Sequence, residues 1–567
     1  MSKYFKTAHI LSGALIALTA ITAISGCDRD DCPVNSRSVI TTVERTIIPV
    51  PVSVFPGTRI DDPGSFAKYG YGEWEYGPGL PLQKRIDRTP AGYDPKGSEN
   101  GKTLLHFFAM TDVHCTDKET PAQGIFFRKY AGANSVSCYA PVMLYSTQVL
   151  DAAVRTINRL NRESVFDFGI SLGDMANSAQ YNEIRWFIDV MDGKYINPDS
   201  GIKDDPIPGT GNDYQDEFQA EGLDKSIKWY ATIGNHDHLW MGVKPINDKI
   251  RQAFTGNKII QTGNIFTDPL ALDKNTFSMG TFDGSTLYGT IIGEGVVSSL
   301  GEIPDVAPDP DRRPLTRDEV MEELSKSTTL PAGHGFVQDN PENQFRNCYS
   351  VEPKANLPLK LIVLDDTQDE SDPELYVFGK GSLENGRHDW LIAQLKKGQE
   401  EGKLMIIAAH VPIGVAAGQL GWYNTKVESD LIAELKTFPN LILWIAGHRH
   451  LNTVTALAST DLDHPENGFW EVETKSLREF PQQFRTFDII FNSDNTLSIK
   501  IINVDPEVKD GSLAAISRSY AIASAQIYNQ AEILMPTGSR SYNAELIKVL
   551  TPEMQSRISD YVKSHGK

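Results

Sequence analysis

The chain has little cysteine, a deficit of basic charge, and no apolar run of membrane-spanning length. Five cysteines in 567 residues are too few for a disulfide scaffold. Lys and Arg number 54 against 74 Asp and Glu, a formal charge of -20. A surface that acidic repels polyanions, which argues against nucleic acid as a partner and against a nuclease acting on long polymers. No internal repeat is present. The rest is ordinary: 40% hydrophobic and 23% charged residues. That profile belongs to a folded globular chain, long enough for one large domain with insertions or for several smaller ones.

The first residues indicate a compartment. Lys3 and Lys6 precede an apolar run from about Ile10 to Ile24, too short for a comfortable span and suited to a signal-peptide core. The run stops at Ile24-Ser25-Gly26-Cys27, which resembles a bacterial lipoprotein cleavage box. The resemblance implies that residues 1–26 are a lipoprotein signal peptide and that Cys27 is lipidated. The body would then be exported and anchored to a bacterial membrane, facing the periplasm or the cell exterior.

Residues 27–100 have little periodicity and read as a tether and N-terminal extension, with one strand near Thr46–Phe55. From Leu104 short apolar runs recur, each ending in a tight polar sequence. Leu104–Met110 ends in Thr111-Asp112-Val113-His114, and Phe166–Leu172 ends in Gly173-Asp174. Trp229–Ile233 ends in Gly234-Asn235-His236-Asp237, and Leu359–Leu364 in Asp365-Asp366. Leu404–Ala409 ends in His410, and Leu441–Ala446 in Gly447-His448-Arg449-His450. Runs of this length read as strands buried on both faces. Helical stripes lie between several of them, such as Val149, Leu150, Ala153, Val154, Ile157 and Leu160. Alternating strands and helices predict an α/β fold, with ligands gathered beyond the carboxyl ends of the strands. About residues 239–347 read as an insertion, with a helix start at Thr316 and Glu319. Alternation over Arg485–Phe491 and Thr496–Ile502 predicts a hairpin around Asn492–Asn495. Residues 506–567 read as a helical C-terminal extension.

Each polar turn alone is weak evidence. Together, in this order and each after a strand pattern, they resemble the calcineurin-like metallophosphoesterase superfamily over roughly residues 103–505. The donor types agree. Carboxylates, imidazoles and one amide oxygen suit borderline divalent metals, and seven such groups are too many for one tetrahedral zinc. The resemblance implies a layered α/β/β/α sandwich of two mixed sheets flanked by helices, with large insertions. It implies a 101–505 catalytic domain holding two divalent ions (Mn, Fe or Zn). Asp112, His114 and His450 would hold the first ion, Asn235, His410 and His448 the second, and Asp174 would bridge them. The implied activity is hydrolysis of a small phosphate monoester or diester by a metal-bridging hydroxide, with His236 as general acid and Asp237 orienting its ring. Purple acid phosphatases carry a Tyr ligand and lack the equivalent of His114, so the chain falls outside that branch. The competing readings are a non-catalytic metal or phosphate binding protein on the same scaffold and a zinc amidohydrolase. The latter opens with His-x-His, whereas this chain has Asp-x-His first.

Other residues carry lesser expectations. Arg449 is either a substrate-phosphate contact or a solvated loop arginine. His238 is a candidate pocket residue and Trp240 a packing residue. His106 is assigned to the core and His388 to a helix surface. Asp365 and Asp366 are assigned to turns or hydrogen bonding. Cys115 either pairs with Cys138 or stays a free thiol. No protein partner is legible.

Overall fold

The apolar runs become strands because both of their faces are covered. The computed structural model describes residues 38–55, 60, 62–120, 123, 140–202, 214–257, 276–281, 290–296, 307–336, 347–370, 379–414, 422, 428–530, 534 and 542–565. The strands of its two large sheets are, in chain order, β1 (Gln83–Arg85), β2 (Lys102–Met110), β3 (Phe168–Ser171), β4 (Trp229–Ala231), β5 (Tyr349–Val351), β6 (Leu359–Val363), β7 (Leu404–Ala408), β8 (Leu441–Ala446), β9 (Thr453–Leu457), β10 (Phe469–Glu473), β11 (Phe484–Phe491), β12 (Leu497–Val504) and β13 (Ala544–Lys548). The seven-stranded sheet runs β1-β13-β12-β11-β2-β3-β4, and the six-stranded sheet β5-β6-β7-β8-β10-β9. β2, β3 and β4 are parallel, as are β6, β7, β8 and β10. The hairpin β11–β12 and the pair β2–β11 are antiparallel. Both sheets are therefore mixed, as expected.

Side-chain alternation decides the layering. Leu361 and Val363 of β6, Ile406 and Ala408 of β7, and Leu443 and Ile445 of β8 share one core with Phe107, Phe168 and Phe487 of the other sheet. Their neighbours Ile362, Ile407 and Trp444 pack instead with Trp390, Leu391 and Leu395 of the helix Asn385–Glu400. Each such side chain, fully buried, contributes about 1.5–3 kcal/mol. The helix Ser146–Glu163 brings Leu150, Val154 and Ile157 to the first core. In the insertion, Thr316 and Glu319 close the expected capping box on the helix Arg317–Ser325.

Segments towards each end of the described chain depart in part from expectation. Val39–Lys567 form one structural unit. The described part of the supposed tether is folded: Arg45–Pro49 pairs with Trp74–Pro78, and β1 closes the seven-stranded sheet beside β13. Phe66 and Tyr71 pack with Ala523 of the helix Leu513–Ile527. The C-terminal extension is helical over Leu513–Ile527 and Pro552–His565, as expected, but between these helices it also supplies β13, a five-residue strand between β12 and β1. A strand that short carries too few alternations to stand out between helices. Residues 1–37, with Cys27, lie outside the described residues, as does Cys138. Cys115 and Cys348 are buried free thiols. No helix among the described residues is long and apolar enough to cross a membrane.

One buried histidine sets an acid limit on stability. His334 is fully buried, stacks on Trp229 with ring centroids 3.6 Å apart, and donates from Nδ1 to the Trp229 carbonyl at 3.1 Å. Its Nε2 has no hydrogen-bond partner among the described residues. Burial lowers its pKa from 6.5 to about 4. Below 6.5 the unfolded chain takes up a proton that the folded chain refuses. Stability therefore falls as pH drops from 6.5 towards 4, by up to about 3 kcal/mol. Replacing His334 by Gln should lower the melting temperature at pH 7.5, and by less at pH 4.5. A gap between wild type and variant that is equal at both pH values would refute this.

Candidate metal centre

The carboxyl ends of the strands carry the polar turns, and the two sheets face them towards one another. β2, β3 and β4 deliver Asp112, His114, Asp174 and Asn235, while β7 and β8 deliver His410, His448 and His450. Five of these residues have left-handed backbones: Asp112 (φ 52°), His114 (48°), Asp174 (53°), His448 (75°) and His450 (56°). For residues other than glycine this costs roughly 1–2 kcal/mol each, and such outliers cluster at functional sites. Buried carboxylates hold the turns at the strand ends. Asp237 accepts from the amides of Asp174 (3.0 Å), Ala176 (3.0 Å) and Gly234 (2.8 Å). Asp366 accepts from the amides of His410 and Val411, both at 3.1 Å. Glu471 accepts from Ile413 at 2.5 Å. Burial pushes all three carboxyls up to about 7.

The seven predicted ligands converge. His450 Nε2 lies 3.1 Å from Asp112 Oδ1 and 3.2 Å from His114 Nε2. His410 Nε2 lies 2.9 Å from Asn235 Oδ1, 3.4 Å from Asp174 Oδ2 and 3.2 Å from His448 Nδ1. His114 Nε2 stands 3.6 Å from Asp174 Oδ2, so Asp174 joins the two groups. Asp112, His114 and His450 form one cluster able to hold a cation, and Asp174, His410 and His448 a second. Asn235 donates from Nδ2 to the Gly242 carbonyl at 2.9 Å, which turns Oδ1 to the second cluster. Gly242 has φ +70°, and a Cβ there would stand 2.3 Å from His236 Nε2 and 2.4 Å from Asn235 Nδ2.

The electrostatics suit cations. Asp112 Oδ2 accepts from the His448 amide and the Thr111 hydroxyl, while Oδ1 is buried facing His450 Nε2, 3.1 Å away. Burial opposes charge on His410, yet Asp174 outweighs it and raises the imidazole to about 10. Glu479 and Asp112 likewise overcome burial at His450, to about 10. Burial and the neighbouring His410 lower His448 to about 3. Burial disfavours charge on Asp174 too, but His410 and His236 hold its carboxyl well below the usual range. The site thus draws positive charge to two of its histidines, and convergent carboxylate, imidazole and amide donors fit two divalent ions in place of those protons.

His236 stands beside this centre. Its ring meets that of His114 edge-on at 4.5 Å, and its amide donates to Asp174 Oδ1 at 2.8 Å. Burial lowers its pKa. Its Nδ1 donates to the Asn177 carbonyl at 2.6 Å. The orienting group is therefore Asn177 and not Asp237, whose carboxylate is used on backbone amides. His238 does not face the cluster. It is buried between Glu370 (Nδ1, 2.6 Å) and Thr367 (Nε2, 3.0 Å). Arg449 is held by Glu473 through Nε at 3.1 Å and Nη2 at 2.5 Å. Asp365 pairs with Arg317 and Arg387 at 3.3 and 3.4 Å. Trp240 is buried as expected. His388 is not at the surface: it is buried, with Nε2 2.7 Å from Glu434. His106 is half-buried at the edge of the core, with Nδ1 2.6 Å from Asp488. Sequence reasoning missed Asn177, Gly242, Arg478 and Glu479. The signal for the last two was β10, a further buried strand whose following turn holds both.

No family model and no curated protein matches the sequence. Solved structures do. A dimetal phosphatase from Danio rerio aligns with 72% of this chain and 100% of its own, at 12% identity and TM-score 0.33. A putative 5'-nucleotidase from Staphylococcus aureus in complex with alpha-ketoglutarate aligns over 73% of this chain and 57% of its own, at 11% identity and TM-score 0.29. The anchor in the inner membrane complex of Plasmodium aligns over 74% of this chain and 95% of its own, at 11% identity and TM-score 0.28.

Proposed function

We propose that this protein is a calcineurin-like metallophosphoesterase: a hydrolase of small phosphate esters that uses two divalent ions, exported and held to a membrane by a lipid on Cys27. One observation carries the reading: two ligand clusters joined by Asp174, with His236 alongside. When bound, such ions supply Lewis acidity and a water acidic enough to serve as nucleophile near neutral pH. The residues do the rest. Asp174 and Asp112 provide the negative charge that holds the cations, and Asn235 adds a neutral oxygen. A backbone carbonyl only accepts, so the hydrogen bond to Asn177 puts a proton on His236 Nδ1. Nε2 is then the atom that passes a proton to the leaving oxygen. Nε2 carries a proton only in the imidazolium form. The lowered pKa makes that form a minor species near neutral pH but a strong acid, so His236 must take up a proton before it passes one on.

The test is hydrolysis of a chromogenic phosphate monoester and diester by the full chain in detergent with Mn. Turnover of one ester, abolished by a chelator and restored by Mn, is the expected result and sets the subclass. No turnover and no bound metal would sink the reading in favour of a non-catalytic binding protein. The anchor rests on the Ile24–Cys27 sequence alone. Cys27→Ala should move the protein from the membrane fraction to the soluble one, and an unchanged distribution would refute lipidation.

A further inference from the structure

We infer that the turn Lys475–Glu479 aligns both halves of this centre: Glu479 is the positioning residue for His450, and Arg478, acting through Asn177, is the positioning residue for His236. The inference rests on the proposed reading of the site. The turn follows β10, which carries no ligand, yet it touches the site at five points. Lys475 Nζ donates to the His450 carbonyl. The Ser476 hydroxyl donates to the Asp112 carbonyl at 3.0 Å, and the Leu477 amide to the Thr111 carbonyl at 3.3 Å. Arg478 Nη1 donates to Asn177 Oδ1. Glu479 Oε2 lies 2.5 Å from His450 Nδ1.

The Glu479 contact orients His450, and the Arg478 contact fixes the residue whose carbonyl orients His236. An ionised carboxylate only accepts, so one His450 proton sits on Nδ1, and Nε2, which faces Asp112 Oδ1 and His114 Nε2, is the atom that would take a metal ion in place of a second proton. Atoms brought this close need a positive charge among them, a proton or a metal ion. A carboxylate behind a ligating imidazole also makes it a stronger donor. On the other side, Asn177 is fixed by its amide, which donates to the Cys115 carbonyl at 2.9 Å and to Glu183 at 3.1 Å, and by Arg478 on its side chain. Its carbonyl then holds His236 Nδ1 at 2.6 Å. Arg478 is buried, so water does not compete for this contact. Gln482 braces the turn from behind, donating to the Arg478 carbonyl at 3.2 Å and to Ser517 at 3.0 Å.

The two arms separate in one experiment on the full chain in detergent with Mn(II) as probe. Bound Mn per chain is counted by elemental analysis, and electron paramagnetic resonance reports whether two ions are coupled. Glu479→Ala should weaken one of the two Mn sites by roughly 10–100-fold and replace the coupled signal with that of isolated ions. Glu479→Gln should do so less, and it decides the matter if the Ala variant does not fold. Arg478→Met should keep both ions and the coupled signal. It should lower kcat at least about tenfold with little change in KM, and Arg478→Lys should recover part of the loss. Wild-type Mn titration in both Glu479 variants would overturn the first arm, and wild-type turnover in Arg478→Met the second. Absence of a Mn pair in the wild-type protein would instead overturn the metal reading itself.

Discussion

Asp174→Asn is expected to empty both cation sites and to reduce phosphoester hydrolysis by at least about 10³-fold, some 4 kcal/mol of transition-state stabilisation. Asp174 belongs to the second cluster and also groups with His114 of the first, 3.6 Å away. The substitution keeps the shape and an acceptor for the His236 amide, which donates to Oδ1 at 2.8 Å. It removes the charge that faces His410 at 3.4 Å and His114 at 3.6 Å. A buried charge robbed of its partner costs about 3–5 kcal/mol, so the His410 imidazolium is driven to shed its proton, and the second cluster keeps only neutral donors. Metal content after dialysis, read beside turnover, checks this. Retention of two ions per chain with full activity would rule out Asp174 as the bridge.

The second large effect is at His236. Replacement by Ala should lower kcat by about 10²–10⁴ while both ions stay bound, because the seven donors are untouched. The size of the loss should depend on the leaving group. An ester of a good leaving group, such as a nitrophenol, departs without a proton and should lose less. An alkyl ester expels a basic alkoxide and should lose more. Equal losses on the two esters would mean that His236 stabilises charge but does not transfer a proton.

Several parts of the site were readable because each depends on a few consecutive residues. Asp112 and His114, Gly173-Asp174, and His448 and His450 each follow a continuous apolar run, and a strand that must bury both faces leaves its polar residues at its end. The same local logic found the hairpin at Asn492–Asn495 and the capping box at Thr316. It failed wherever a residue's partner is remote. Asp237 looked like a partner for the adjacent His236, yet its carboxylate reaches the amides of Asp174 and Ala176 on another loop. His388 looked exposed because Glu434, which holds it, lies 46 residues on. His238 looked like a pocket residue, but Glu370 and Thr367 enclose it.

The sequence by itself determined the α/β alternation, the strand ends that bear the ligands, and a donor chemistry that suits divalent ions. These are short-range properties: side-chain period, turn chemistry and the valence of each group. Only the tertiary structure decided that Asp112 and His450, on different sheets, approach to 3.1 Å. It also decided that both ends of the chain complete the larger sheet, and that Glu479 and Arg478 stand behind His450 and His236. The reason is geometric. Packing one sheet on the other brings strand ends more than three hundred residues apart within hydrogen-bonding distance, as with the His448 amide and Asp112 Oδ2 at 2.9 Å. No pattern confined to one stretch of chain records which distant loop will arrive there.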